Sequence, residues 1–404
     1  MIQLAETHLA PLFQAIDQRV RVNLRRVLAA FREHRVGSHH FAGVSGYGHH
    51  DLGREALDHV FAQVMGAEAA IVRLQFVSGT HAIAAALFGS LRPGDELLMV
   101  TGSPYDTLEE VIGLRGTGSG SLKDFGVIYR QINLTPSGDI NWEELSTAVG
   151  SKTKLVHIQR SCGYSWRSSI SIEQIKKIID CVKSQDPEVI CFVDNCYGEF
   201  VEDQEPTHVG ADLIAGSLIK NPGGTLAPSG GYVAGRSDLV EKAACRLTAP
   251  GIGSEGGATF DQNRLLFQGL FLAPQMVGEA VKVAHLAAQL FQDLGYPVSP
   301  LPETPRTDVI QAIQLGSPTA LQAFCRAIQH TSPIGSYLQP VPEKMPGYAD
   351  PVVMAGGTFI EGSTLELSAD GPMRDPYIVY IQGGTHLSHG VLALEAAVAA
   401  IQGT

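Results

Sequence analysis

Three short stretches hold residue types that make chemistry when they meet. In FVSGTHAIAAAL a β-rich run gives way to Ser78, Gly79 and Thr80, and an alanine-rich helix opens at once. Backbone N–H groups, the positive end of a helix dipole and hydroxyls converge there, a setting for an anion such as phosphate and equally for an ordinary helix N-cap. In VICFVDNCYGEF an apolar strand ends in Asp194. The carboxyl ends of parallel strands line the crevice where such sheets bind ligands, although aspartate also caps helices and turns. In DLIAGSLIKNPGG a β run reaches Ser217, and Lys220 follows in a polar, glycine-rich turn. A lysine in such a turn is, taken alone, a solvated surface residue. Together the three stretches offer a cradle for phosphate, a carboxylate to keep a ring nitrogen protonated and an amine to condense with an aldehyde, which is what pyridoxal phosphate requires.

The elements that must position them follow from periodicity. Residues from about 7 to 33 place Leu12, Phe13, Ile16, Val20, Leu24, Val27, Leu28 and Phe31 at helical spacing, as in an amphipathic packing helix. The glycine-rich GVSGYGHHDLGRE interrupts the pattern, and DLGREALDHVFAQVM resumes it. Seven β-rich runs (AIVRLQFV, ELLMV, GVIYRQI, KLVHIQ, VICFVDN, LIAGSL, GGYVAG) then alternate with helical stretches such as AIAAALFGSL, WEELSTAV and SIEQIKKIIDCVKS. That alternation predicts a doubly wound, three-layer α/β/α domain with a mostly parallel sheet. After a helical stretch over about 261–294, the proline-rich LGYPVSPLPETPRTD marks a boundary. The rest reads as a smaller C-terminal α+β domain: strand VIQAIQL, helix TALQAFCRAIQH, strands GTFIEG, TLELSA and PYIVYIQ, and the helix GVLALEAAVAAI. The expected division is an N-terminal helical segment over 1–60, a large domain over 61–290 and a small domain over 291–404.

Composition bounds the rest. The 404 residues carry 29 Lys and Arg against 41 Asp and Glu, a net charge of −12 that argues against a nucleic-acid surface or a polybasic membrane surface. No apolar run reaches the roughly 18 residues of a membrane span, and no secretory leader is evident, so the expected location is cytoplasmic. The six cysteines form no C-x-x-C pair and read as buried thiols in a reducing compartment. His49 and His50 have no second cluster at ligand spacing and read as loop histidines, so no metal is expected. FVSGTHAIAAAL lacks the glycines of a dinucleotide turn, which disfavours a nicotinamide oxidoreductase.

With these residues in place, the sequence resembles the fold type I pyridoxal-phosphate enzymes. More narrowly, it resembles the branch related to methionine gamma-lyase and the cystathionine lyases that carries the label aluminium resistance protein. The resemblance runs along nearly the whole chain and is carried most specifically by SGYGHHDLGRE, FVSGTHA, GDELLMVTGSPYDTLEEVIG, QRSCGYSWRSS, VDNCYGEFVE, SLIKNPGGTLAPSGGYVAG and PYIVYIQGGTHLSHG.

The resemblance implies roles. Lys220 is the Schiff-base lysine, Asp194 the partner of the pyridine nitrogen and Tyr197 a hydrogen-bond donor to the ring hydroxyl. Ser217, Ser78, Gly79 and Thr80 hold phosphate, and Tyr105 stacks on the ring and can protonate a departing sulfur. Tyr47 and Arg54 look like the tyrosine and arginine that a neighbouring subunit contributes, at a wider spacing than in the lyases; Arg54 could equally pair with Glu55 or Asp58. Arg374 is the first choice for the substrate carboxylate and Arg167 the second, because a planar guanidinium suits that group. The implied activity is carbon–sulfur elimination from a sulfur-containing amino acid. An aminotransferase would use the same Lys220, Asp194 and Tyr197, and a cofactor-binding protein without turnover also fits. The implied assembly is a homodimer or homotetramer with active sites at the dimer interface, with neither nucleic acid nor membrane as partner.

Overall fold

The structure is a computed structural model and describes residues 1–403. The chain opens with α1 (Ile2–Glu33) and α2 (Leu52–Met65), the latter capped by Asp51, whose carboxylate accepts from the Arg54 N–H at 2.9 Å. The alternating part follows as β1 (Ala69–Arg73), α3 (Gly79–Ser90), β2 (Glu96–Met99), α4 (Asp106–Ile112), β3 (Ile128–Gln131), α5 (Trp142–Leu145), β4 (Thr153–Gln159), α6 (Ile172–Gln185), β5 (Ile190–Asp194), β6 (Leu213–Ser217), β7 (Gly231–Gly235) and α7 (Ser237–Leu247). All seven expected β runs contribute strands to one sheet, ordered β1-β7-β6-β5-β4-β2-β3. The strands from β6 to β3 are parallel, and β7 runs antiparallel between β6 and β1.

Strand residues alternate between two apolar layers because successive side chains leave opposite faces. In β5, Cys191 and Val193 join the core beneath α2 and α6, whereas Ile190 and Phe192 join the core with α3 and α7. Each fully buried aliphatic or aromatic side chain of this kind contributes about 1.5–3 kcal/mol. The result is the predicted three-layer α/β/α unit.

The long helix α8 (Asn263–Asp293) leads to β8 (Val298–Ser299), β9 (Ile310–Gln314), α9 (Pro318–Thr331), β10 (Val352–Ala355), β11 (Ser368–Pro372), β12 (Ile378–Gln382) and α10 (Leu387–Gln402). These strands form a second sheet, antiparallel throughout, in the order β10-β11-β12-β9-β8. Two expected strands differ. GTFIEG stays irregular because the N–H groups of Phe359 and Ile360 donate to the Glu366 carboxylate at 2.8 and 3.1 Å instead of to a neighbouring strand. TLELSA enters the sheet only at Ser368, since Leu365 accepts from Gly384 in the turn after β12.

Both long helices cross from one core to the other. Leu9 of α1 and Val283, Leu286 and Phe291 of α8 belong to the core of the second sheet, whereas Ile16, Val27, Phe267 and Leu270 belong to the first. Among the described residues, no helix is long and apolar enough to cross a membrane.

Candidate active site

A cavity of about 530 Å³ opens at the carboxyl ends of β4, β5 and β6 and reaches the second sheet. Strand register does the first part of the positioning. Gln159 and Asp194 are paired at the ends of β4 and β5, and Ser217 ends β6 two residues beyond the Ala215 that pairs with Asp194. Ser78, Gly79 and Thr80 face the same space from the start of α3. The Ser78 hydroxyl accepts from the His81 N–H at 3.1 Å, and the Ala82 N–H is bonded to the Ser78 carbonyl at 3.2 Å. The N–H groups of Gly79 and Thr80 have no acceptor among the described residues, as expected of a first helical turn. A Cβ on Gly79 would stand 3.1 Å from Ser217 and 3.3 Å from Cys196, tight enough that these neighbours would have to give by a few tenths of an ångström.

Lys220 is half-buried, with Nζ 3.8 Å from the centre of the Tyr197 ring. Burial opposes its charge, but Cys196, Tyr197, Asp194 and Tyr105 outweigh burial and hold the free amine above the ordinary lysine range. Burial pushes the Asp194 carboxyl up, while Lys220 and the Cys196 N–H, 3.1 Å from Oδ1, draw it back. Burial likewise pushes the Tyr197 phenol up to about 12. Tyr197 itself takes a left-handed φ of 72°, a conformation that neighbouring structure must hold in place. Asn221 does this: its fully buried amide donates to the carbonyls of Tyr197 at 2.9 Å and Glu199 at 3.0 Å, tying the lysine turn to the Asp194 loop. Behind that loop Arg160 bonds Asn195 at 2.7 Å and Glu202 at 2.8 Å, while Asn23 and Arg26 of α1 grip Phe200, Glu202, Asp203 and Glu205. The amphipathic entry helix therefore buttresses the site as well as packing.

Tyr105, at the N-cap of α4, donates its backbone N–H to Gln159 Oε1 at 3.0 Å and sets its hydroxyl 3.1 Å from Thr80 Oγ1. Burial, reinforced by Asp194, raises its phenol well above the ordinary range, so it stays protonated. Arg374 lies at the rim between β11 and β12, with its guanidinium on Asp350 at 3.2 Å and on the Tyr164 carbonyl at 3.1 Å.

Two predicted residues stand elsewhere. Arg167 is not on the cavity wall: its guanidinium donates to the carbonyls of Gln159, Ser161 and Ser168 and so closes its own loop. Within one chain Arg54 is fully buried and donates to the carbonyls of Gly48, Glu255 and Gly257. It braces the turn that displays Tyr47, which is 84% exposed. Gly48 makes this possible, because a Cβ there would fall 2.5 Å from the Gly257 backbone.

The cavity also gathers Tyr164, Tyr348, Asp370 and Gln382, which sequence reasoning did not single out. Asp370 accepts from the Tyr164 hydroxyl and from Gln382 Nε2 at 3.2 Å, and burial pushes its carboxyl up to about 6. The Tyr164 motif QRSCGYS was visible, whereas nothing near Asp370 or Tyr348 in the chain marks them. Among the described residues no group of His, Cys, Asp or Glu side chains gathers as a metal site.

This arrangement fits pyridoxal 5'-phosphate. Two unbonded N–H groups and the Ser78 and Ser217 hydroxyls suit its phosphate, a buried carboxylate suits its ring nitrogen and the half-buried Lys220 amine suits its aldehyde. The methionine gamma-lyase family matches residues 1–402. The chain belongs to the methionine gamma-lyase family. Protein YnbB of Bacillus subtilis, itself uncharacterized, is 49% identical over 394 residues, 97% of this chain and 94% of its own. A carbon–sulfur lyase involved in aluminum resistance from Clostridium novyi is 48% identical over 98% of this chain and 94% of that one, with a TM-score of 0.94. The pyridoxal-5'-phosphate-dependent protein YhfS of Escherichia coli shares the fold with a TM-score of 0.64, at 16% identity over 95% of this chain and 97% of that one. The fold is thus that of the type I pyridoxal-phosphate enzymes, and family membership makes pyridoxal 5'-phosphate the cofactor and carbon–sulfur bond cleavage the reaction class.

Proposed function

We propose that the protein cleaves a carbon–sulfur bond in a sulfur-containing amino acid, using Lys220, Asp194 and Tyr105, and that it works as a homodimer or homotetramer in the cytoplasm. The observation that supports this most directly is the meeting of the Lys220 amine, a buried carboxylate and an open helix N-terminus on one cavity wall. When bound, pyridoxal phosphate supplies an electron sink that weakens the Cα–H bond of an amino acid. Ser78, Gly79, Thr80 and Ser217 would anchor its phosphate, Asp194 would keep its ring nitrogen protonated and Tyr197 would reach its ring hydroxyl. Lys220 would hold the aldehyde and then, once displaced by substrate, take the Cα proton. Tyr105, held neutral by burial beside Thr80, would give a proton to the departing sulfur. Arg374 would receive the substrate carboxylate if it exchanged Asp350 for that anion.

Self-association is supported by the apolar side chains displayed around the cavity's phosphate side. Tyr47, Val77 and Phe260 are 84%, 81% and 61% exposed on loops that touch one another through Gly48, Gln75 and Ala258. The cytoplasmic reading is supported by six cysteines, none of them paired.

The test is absorbance before and after borohydride, with release of 2-oxo acid and ammonia from sulfur amino acids as the activity assay. Wild type should show a visible band that borohydride fixes, and Lys220→Ala should show neither a reducible linkage nor turnover. A reducible linkage that survives in Lys220→Ala would remove the lysine from its role. A loaded enzyme that only exchanges amino groups with keto acids would overturn the lyase reading.

A further inference from the structure

Three hydroxyls stand in a row on the cavity wall. Thr80 Oγ1 lies 3.1 Å from the Tyr105 hydroxyl on one side and 3.2 Å from Thr107 Oγ1 on the other. Thr80 belongs to the first turn of α3, whereas Tyr105 caps α4 and Thr107 lies in its first turn, so two helix starts meet through these side chains. Among the described residues neither the Tyr105 hydroxyl nor that of Thr107 has another partner. The outer end of the row is fixed by packing. A Cβ on Gly347 would fall 2.7 Å from the Thr107 Cγ2, so the methyl is enclosed by that turn while the hydroxyl faces Thr80. Arg115 ties the same turn to α4, donating to the carbonyls of Gly347 and, at 2.7 Å, Asp106.

A threonine hydroxyl has one hydrogen and two lone pairs. The Thr80 hydrogen is spent on Tyr105 or Thr107, so a phosphate oxygen, which only accepts, is left with the Thr80 backbone N–H. The row can run in two directions. When Thr107 donates to Thr80 and Thr80 to Tyr105, the phenol hydrogen is free to enter the cavity. That direction also sets a donor on the oxygen that turns anionic as the phenol gives up its proton, where a hydrogen bond is strongest.

We propose that Thr80 and Thr107 form a hydroxyl relay that supports Tyr105 as proton donor and then recharges it. The carbon–sulfur bond breaks with its electron pair on sulfur, and sulfur takes the Tyr105 proton. Tyr105 takes the proton of Thr80, Thr80 that of Thr107, and Thr107 one from solvent, which reaches this side of the cavity at the exposed Ser103. Solvent regains a proton when Lys220 releases the one it took from Cα. Both threonines are positioning residues that act through Tyr105. The relay rests on the lyase reading and deepens it.

The test pairs two substrates of one skeleton on the cofactor-loaded enzyme. S-ethylcysteine leaves a basic thiolate that needs a proton, and S-(4-nitrophenyl)cysteine leaves a weakly basic one that does not; the homocysteine pair serves if cleavage is at Cγ. Thr80→Val should lower kcat for the ethyl substrate by about 10- to 100-fold, the range for a hydrogen bond to a charged group, and for the nitrophenyl substrate by less than about 3-fold, with KM held for both. Thr80→Ser, which keeps the hydroxyl, should restore most of the loss. Thr107→Val should show the same selectivity at smaller size, and it decides the matter if Thr80→Val does not fold. An equal loss for both substrates, no loss for either, or a serine variant as slow as the valine one would overturn the relay.

Two readouts need no turnover. Equilibrium dialysis should show Thr80→Val holding pyridoxal phosphate within about 2-fold of wild type, and affinity lower by about 10-fold or more would place the hydroxyl on the phosphate instead. In the full chain at saturating cofactor, the effects of Thr80→Val and Tyr105→Phe on denaturant unfolding should be non-additive in the double variant, whereas additivity would show that the two hydroxyls do not meet. A wild type that releases 2-oxo acid from neither substrate pair ends the lyase reading and the relay with it. An active enzyme whose threonine variants show no leaving-group selectivity loses the relay alone.

Discussion

The two walls of the cavity are built in different ways. The wall that suits the cofactor comes from the ends of adjacent parallel strands and the first turn of a helix, and its groups are fixed by backbone register, by Gly79 and by Asn221. The wall toward the second sheet is made of long side chains, Tyr164, Tyr348, Asp370 and Arg374, which hold one another through hydroxyl, ring and guanidinium contacts. The cofactor side is thus anchored in the main chain, and the opposite side is left to side chains, where one substitution alters a contact without moving a strand.

That contrast can be broken in order of expected effect. Replacing Asp194 by alanine should lower kcat by about 10³-fold while leaving the far wall's affinity for an unreactive amino acid nearly intact, as measured by steady-state kinetics and calorimetry. Asn221→Ala removes two bonds from a buried amide and should destabilise the fold by about 1–3 kcal/mol, with weaker retention of the cofactor on dialysis. Denaturant unfolding with and without added pyridoxal phosphate would separate the two effects. On the far wall, Arg374→Ala should raise KM by about 10-fold or more with the cofactor band unchanged. Arg167→Ala, which touches only its own loop, should leave KM where it is. A KM shift of equal size in both would erase the distinction between them.

The smallest effect belongs to the layer behind the cofactor wall. Burial raises the Glu199 carboxyl to about 8, against the hydrogen bond from Tyr232. The folded state binds this proton more tightly than the unfolded chain. Its stability contribution is therefore full below the ordinary pKa of 4.5 and is lost as pH rises toward 8. Glu199→Gln should flatten the fall in Tm across that window, and a slope equal to wild type would show that another group sets it.

The same contrast explains what the sequence disclosed. Ser78, Gly79 and Thr80, Asp194 and Lys220 each sit at the end of a recognisable β run, so local pattern places them and parallel topology brings them together. Asp370 and Tyr348 meet Tyr164 only through tertiary assembly, across 206 residues in the case of the Tyr164 and Asp370 pair. Arginines are a further blind spot, because spacing does not say whether a guanidinium points outward. Arg167 turned to carbonyls of its own loop, Arg54 to carbonyls of its own turn and of the 255–257 loop, and Arg374 reached the rim. GTFIEG has strand-like residues, yet a carboxylate six and seven residues away takes the N–H groups that a ladder would need.

The two helices shared between the cores have a thermodynamic consequence. Because α1 and α8 each contribute buried side chains to both sheets, neither core can melt and leave the other with its apolar surface covered. The two units are then one cooperative block, unfolding in a single transition in spite of the boundary between their sheets. Any ligand bound between the sheets would raise the melting point of the whole chain, distal strands included, so a substrate analogue held on the far wall could be detected by thermal shift as readily as the cofactor itself.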